Sequence, residues 1–66
     1  MYKIIIIERG VQRTKRFYES EKVFRKYLKK HSEKFARLGR YSQTNYTVIG
    51  FKLTSVDPIE WEIVNI

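Results

Sequence analysis

Four successive isoleucines, Ile4–Ile7, lie near the start of this chain of 66 residues. β-Branched side chains are stiff at χ1 and favour extended backbone, so the run predicts a β-strand. Neighbouring side chains of a strand point to opposite faces, and an uninterrupted apolar run therefore has apolar groups on both faces. The chain must fold around a sheet in which this strand needs cover on two sides.

A second extended segment follows the isoleucine run after Gly10. Residues 11–18 have no helical spacing, and together with the first strand they predict a β-hairpin over residues 2–18. Charges fall on both faces of this segment, which is typical of an edge strand. Strict alternation places Arg13 and Arg16 on opposite faces of it.

An amphipathic helix is predicted next. Ser20 is a suitable N-cap, and Gly39 can take the left-handed position that ends the helix. Apolar residues recur between them at intervals of three and four. The stripe comprises Val23, Phe24, Tyr27, Leu28, His31, Phe35 and Leu38.

The C-terminal third reads as a loop and two strands. Residues 39–46 are small and polar, residues 46–54 alternate, and a turn at Asp57-Pro58 precedes an alternating segment over 59–66 in which Trp61 is a core candidate. The order is ββαββ. We therefore expect a single α+β domain over residues 1–66, a four-stranded antiparallel sheet with one amphipathic helix packed on a face.

One helix covers only one face of such a sheet. The apolar run of the first strand, and the alternating apolar residues of 46–54, leave a second face that also contains apolar side chains. Two interpretations remain open at this point. Either loops and neighbouring side chains cover the second face, or a partner, such as a second copy in a homodimer, packs against it.

The net charge of +7 is unevenly distributed along the chain. Residues 1–40 contain thirteen bases and four acids, whereas residues 41–66 contain one base and three acids. Most helix bases lie opposite the apolar stripe, and such an asymmetry indicates a basic face. The candidate binding residues are Arg9, Arg13, Lys15, Arg16, Lys22, Arg25, Lys26, Lys29, Lys30, Lys34, Arg37 and Arg40.

Like charges lie one helical turn apart on this face, as in Lys22–Lys26 and Lys26–Lys30. Each such pair destabilises a helix by roughly 0.2–0.5 kcal/mol, so the pattern favours a role in binding an anionic partner. The bases from Lys22 to Arg37 span about 22 Å along the helix axis, the reach of several phosphates.

Nucleic acid, either DNA or RNA, is the first expected partner, contacted mainly through phosphate and shape. Tyr18, Tyr41 and Tyr46 are candidates for stacking on bases, although packing is the commoner role of tyrosine. The alternative is a small interaction protein that docks on an acidic surface of a host protein and modulates or inhibits it. Compact basic proteins of this kind are common among phage and mobile-element products.

The composition gives little support to catalysis. There is no cysteine, and the single histidine, His31, falls in the middle of the apolar stripe, where a buried packing role is expected. Glu60 and Glu62 lack a third oxygen ligand for a hard cation. We expect a non-enzymatic protein without cofactor or metal. Ile4–Ile7 is the longest apolar run and is too short to cross a membrane, so we expect no membrane partner and a cytoplasmic location.

Overall fold

The computed structural model describes residues 1–55 and 60–65. Its elements are β1 (Tyr2–Glu8), β2 (Val11–Tyr18), α1 (Glu21–Ser42), β3 (Tyr46–Ser55) and β4 (Glu60–Val64). The described strands form one antiparallel sheet in the order β2-β1-β3-β4, and α1 packs on one face of it. The predicted α+β class, with one helix and an antiparallel sheet, is confirmed. The predicted turn at Asp57-Pro58 lies outside the described residues.

The core lies between α1 and β1, which pairs with β2 on one side and with β3 on the other. Ile4 and Ile6 of β1 are buried together with Phe24 and Leu28 of α1. The ring of Tyr2 stacks on Phe24 with 4.8 Å between the centroids. The isoleucine strand β1 is buried because it lies in the centre of the sheet. β2 lies at an edge of the sheet, as its charges predicted.

The N-terminus of α1 is capped as predicted. The backbone N–H of Val23 donates to the Ser20 hydroxyl oxygen at 3.4 Å, and the N–H of Phe24 donates to the Ser20 carbonyl at 3.0 Å. Glu21 follows in the first turn, where a negative charge is favoured by the helix dipole. The start of the helix is therefore determined by local sequence.

The predicted end of the helix at Gly39 is wrong. α1 continues to Ser42 and is followed by Gln43 in the left-handed region, with φ 57°. Gly39 meets a different requirement, because a Cβ there would lie 2.7 Å from the carbonyl oxygen of Thr44. Glycine lets the short connection to β3 approach the last turns closely. Arg40, predicted in a loop, consequently lies in the last turn of α1.

The buried stripe of α1 is narrower than predicted. Phe24 and Leu28 are fully buried, but Val23 and Leu38 at the margins of the stripe are exposed. The closest approach of helix and sheet is at Gly50 of β3, where a Cβ would lie 2.7 Å from the side chains of both Phe24 and Leu28. Helix side chains to either side of this contact with Gly50 are covered less completely by the sheet.

The faces of β2 also differ from the prediction. Ile4 pairs with Arg16 and Ile6 pairs with Arg13, so an interval of two residues on β1 faces an interval of three on β2. Directly opposed residues of antiparallel strands share a face, and Arg13 and Arg16 therefore both lie on the helix side. The predicted placement on opposite faces is wrong because a β-bulge interrupts the alternation.

The face of the sheet away from α1, here called the open face, is largely apolar as well. Read from the strand pairings, its apolar residues are Ile5, Ile7, Phe17, Ile49, Phe51, Leu53, Trp61 and Ile63, and its polar residues include Lys3, Gln12, Thr14 and Thr47. Ile5 at the centre is 4% exposed, so neighbouring side chains cover it. Phe17 and Ile63 are 54% and 60% exposed. Trp61, the predicted core residue, lies on this face and is only partly buried.

Candidate functional site

All eight bases of α1 are exposed. Arg25 is held by Glu21, one turn earlier, with 3.0 Å between Nε and a carboxylate oxygen. This hydrogen bond lowers the pKa of the Glu21 carboxyl. Within residues 1–55 and 60–65 no second carboxylate lies within ion-pair distance of a helix base. Seven of the eight helix charges are therefore uncompensated by the described part of the chain.

Four side chains connect the helix bases to the first hairpin, and we call them the tyrosine junction: Arg16, Tyr18, Tyr27 and Lys30. The guanidinium of Arg16 lies 5.6 Å from the centroid of the Tyr18 ring. Tyr18 stacks on Tyr27 of α1 at 5.6 Å with an interplanar angle of 22°. The ammonium of Lys30 lies 5.7 Å from the Tyr27 ring. The junction thus places one cation at each end of a pair of stacked rings.

The Tyr18 ring of the junction is electrically neutral at ordinary pH. Tyr18 is buried, and burial raises the pKa of its phenol, an effect that the nearby Arg16 opposes only in part. A neutral ring whose face carries negative partial charge attracts cations without cancelling their charge. Arg16 and Lys30 are therefore positioned by the rings while their charges remain available to an external anion.

The row of rings continues along the flank of α1. His31 lies between Tyr27 and Phe35, with ring centroids 6.1 Å and 6.4 Å away. Lys34 lies over Phe35 at 5.7 Å. His31 was predicted to be buried, but it is partly exposed because it is at the flank of the helix and not over the sheet. The packing role expected for His31 agrees with its two ring contacts.

The tip of the first hairpin contributes one more cation. Arg9 and Gly10 form the two-residue turn, with φ values of 49° and 80°. Both positive values are those of a type I′ turn, which matches the twist of the flanking strands. The tip lies at the C-terminal end of α1, because Tyr46 contacts both Phe35, at 5.0 Å between rings, and the Glu8 carboxylate, to which its hydroxyl donates at 3.3 Å.

The structure brings two groups of predicted residues to one side of the molecule. The bases of α1 and the two described arginines of β2 lie on the helix side of the sheet, joined through the tyrosine junction. The side chain of Lys15 lies outside the described part of the chain. Of the stacking candidates, Tyr41 is 82% exposed, whereas Tyr18 is buried and Tyr46 is partly buried.

Sequence reasoning missed the role of Tyr27. The spacing assigns it to the apolar stripe, and its contact with Tyr18 depends on how α1 crosses β2. A local signal does exist, because Lys30 follows Tyr27 by three residues and so lies next to it on the helix surface. The contact of Tyr27 with Tyr18 of β2 cannot be predicted from the sequence around Tyr27.

The described side chains contain no group of three or more His, Asp or Glu residues arranged to hold a metal ion. In the strand pairing Glu62 lies opposite Lys52, and Glu60 lies opposite Ser55. No helix among the described residues is long and apolar enough to cross a membrane.

Comparisons of the chain with protein-family profiles, with curated proteins and with solved structures find no match. Function is therefore argued from the chemistry and geometry of the basic surface itself. The two properties that matter are the uncompensated charge of α1 and its continuity with β2.

Proposed function

We propose that this protein is a small, non-enzymatic module that binds nucleic acid through α1 and the first hairpin. The observation that carries the proposal is the tyrosine junction, since it makes the cations of two separate segments one surface. Phosphate is the contacted group, and a cytoplasmic location, where nucleic acid is accessible, belongs to the same proposal.

The bases of α1 repel one another, and this repulsion destabilises the helix more than a surface charged only for solubility would. Its like-charge pairs oppose folding, and a surface optimised for solubility mixes both signs. Seven helix bases have no described carboxylate partner, so the repulsion is relieved when an anionic ligand supplies the missing charge. Binding of a polyanion and stabilisation of the helix are then linked by mass action.

The side chains of α1 are suited to phosphate and not to base edges. The helix contains no Asn or Gln, the residues that read adenine with two hydrogen bonds. Of the two helix arginines that could read guanine, Arg25 is already engaged by Glu21, which leaves Arg37. Lysines predominate among the remaining bases, and lysine acts on phosphate as a point charge. Recognition is therefore of backbone and shape, with little dependence on sequence.

The test is a titration of labelled duplex DNA, single-stranded DNA and RNA with the purified protein at increasing salt. We expect micromolar or tighter binding at about 0.15 M salt. With about six phosphates contacted, the slope of log affinity against log salt should be about −5. A steep slope identifies charge neutralisation as the driving force, whereas a slope near zero would indicate another mode of contact.

Charge-reversal variants locate the surface. Arg16→Glu and Lys30→Glu each alter one end of the tyrosine junction, and both should weaken binding and make the salt slope shallower. Lys52→Glu on β3 is the comparison variant: it changes the net charge equally on the same side of the sheet, but Lys52 lies near Glu21 at the start of α1, two strands away from Tyr18, and is not one of the proposed binding residues. Equal losses in all three variants would mean that only net charge matters. No binding at low salt would overturn the proposal and favour docking on an acidic protein surface.

A further inference from the structure

We infer that the open face of the sheet is a homodimer interface, in which a second copy packs face to face to give a four-layer sandwich, helix-sheet-sheet-helix. This inference concerns the side of the molecule away from the basic surface. It does not depend on the proposed nucleic-acid binding, and the two can fail separately.

The apolar part of the open face has the composition of an interface core, whereas Gln12, Thr14 and Thr47 make the part toward the hairpin tip polar. Aromatic residues from three strands meet on it, with 6.4 Å between the ring centroids of Phe17 and Trp61. Lys3 is the charged residue among its described side chains, and its ammonium lies 4.5 Å from the Trp61 ring and 5.3 Å from the Phe51 ring. Aromatic enrichment with little charge is what distinguishes the buried centre of an interface from ordinary surface.

Among residues 1–55 and 60–65 no second layer packs on the open face, and the shape of the molecule is correspondingly flat. The Cα atoms extend over 41 × 24 × 16 Å, and the radius of gyration is 12.5 Å. A compact domain of this length has a radius of gyration of about 11 Å. The difference arises because a single sheet and one helix make a flat molecule. A second sheet at the usual spacing of about 10 Å would complete an apolar layer on both sides.

The open face is large enough to support association. Four strands about 4.8 Å apart and seven residues at about 3.3 Å each cover about 440 Å² in projection. Two copies together would bury about twice this area, and the uneven surface of the side chains adds to it. The total buried area then approaches the roughly 1,000 Å² needed for a specific interface. We therefore expect a dimer that depends on protein concentration and not an inseparable one.

The placement of charge selects a second copy as the occupant. In the face-to-face dimer the two helices are about 30 Å apart, three layer spacings of about 10 Å. Repulsion between their bases is screened, because the Debye length is about 8 Å at physiological salt. A lipid surface is disfavoured, since the basic face would point away from the lipid phosphates. An acidic protein would find no cluster of cations on the open face.

Two matched substitutions on one strand test the inference. Phe17 and Val11 both belong to β2 and are 54% and 55% exposed, but Phe17 is on the open face and Val11 is on the helix side. Sedimentation velocity of nuclease-treated protein should show a monomer–dimer equilibrium for the unmodified chain. Phe17→Glu should be monomeric over the whole concentration range, and Val11→Glu should dimerise like the unmodified chain. Far-ultraviolet circular dichroism checks that both variants fold.

Salt separates this inference from the proposed function. Dimerisation through apolar contact should persist or strengthen in high salt, whereas association bridged by nucleic acid should disappear. A monomer at every concentration would overturn the inference. Loss of the dimer in both variants would do the same. Binding of the monomer to neutral lipid vesicles, abolished by Phe17→Glu, would show that lipid and not a second copy occupies the face.

Discussion

At the scale of single residues, two positions show how the chain holds its cations in place. Arg16 is fixed by a ring that is itself buried, so its charge is ordered without being neutralised. Arg9 is held instead by the backbone, in a left-handed conformation that a side chain with a Cβ adopts at a cost. An arginine at this turn position is unfavourable for folding, and a contact with an anion is what would offset the cost.

The turn residue gives a prediction about stability. Arg9→Asn should raise the free energy of unfolding by about 1 kcal/mol, because asparagine tolerates the left-handed region and is preferred before glycine in a type I′ turn. Urea denaturation measures the change. The same substitution should weaken nucleic-acid binding, since it removes a cation.

Arg13→Asn is the control for this prediction. It removes the same charge from a regular strand position, so affinity should fall without any gain in stability. If Arg9→Asn were no more stable than Arg13→Asn, the conformational cost inferred at the turn would be absent.

At the scale of the elements, α1 combines two faces with opposite effects on stability. The face toward the sheet packs Phe24 and Leu28 on the core, while the outward face brings like charges together one turn apart. The helix persists because tertiary packing outweighs the repulsion, as is usual for helices in small domains. The repulsion should therefore be measurable as stability that a substitution can recover.

Lys26→Glu should stabilise the protein and weaken its binding. Glutamate at this position replaces repulsion from Lys22 and Lys30 with attraction, a gain of about 1 kcal/mol over the two pairs. Urea denaturation at low salt measures it, and salt should reduce it. Affinity for duplex DNA should fall roughly tenfold, since a cation becomes an anion in the proposed contact surface. If Lys26→Glu were more stable but bound duplex DNA with the affinity of the unmodified protein, this face of α1 would not be the binding surface.

The contact between α1 and β3 gives a second prediction at this scale. Gly50→Ala should lower the free energy of unfolding by about 1–3 kcal/mol, because the added Cβ would overlap Leu28 and Phe24 at 2.7 Å and force the helix away from the sheet. Thr47→Ala in the same strand is the control and should cost less than about 1 kcal/mol. Equal losses in the two variants would contradict the close approach.

At the scale of the whole molecule, the sheet separates two surfaces of different chemistry. One side carries the helix with its bases, and the other is the apolar open face. Because neither surface needs the other's residues, the two proposed contacts would not compete for the same side chains. A face-to-face dimer of this chain would present two basic surfaces pointing in opposite directions.

Such a dimer should bridge two nucleic-acid segments. Energy transfer between donor-labelled and acceptor-labelled duplexes should increase when the unmodified protein is added at a concentration that supports dimerisation. Phe17→Glu should abolish the transfer while still binding a single duplex, because it leaves α1 and the helix side of β2 unchanged. Transfer that survives in Phe17→Glu would show that bridging, if it occurs, does not use the open face.

The sequence by itself determined the α+β class, the central isoleucine strand, the edge position of β2 and the helix start at Ser20. These features follow from local preferences: β-branched residues, charges in mid-strand and a capping hydroxyl act within a few residues. It also located the basic segments, because charge is readable residue by residue. The proposed binding role remains a prediction to be tested.

Only the tertiary structure decided which faces these segments present. The bulge in β2 brought Arg13 and Arg16 to one side. Gly39 lies inside α1, close to Thr44, and the helix ends at Ser42. Gly50 was placed under the helix, which left the more apolar row of β3 on the open face. The physical reason is that the bulge breaks the periodicity of β2 and that the contact of Gly50 with α1 joins residues distant in sequence, and local preference contains neither. The end of the helix depends on how closely the following backbone returns to its last turns, which residue preferences alone do not specify.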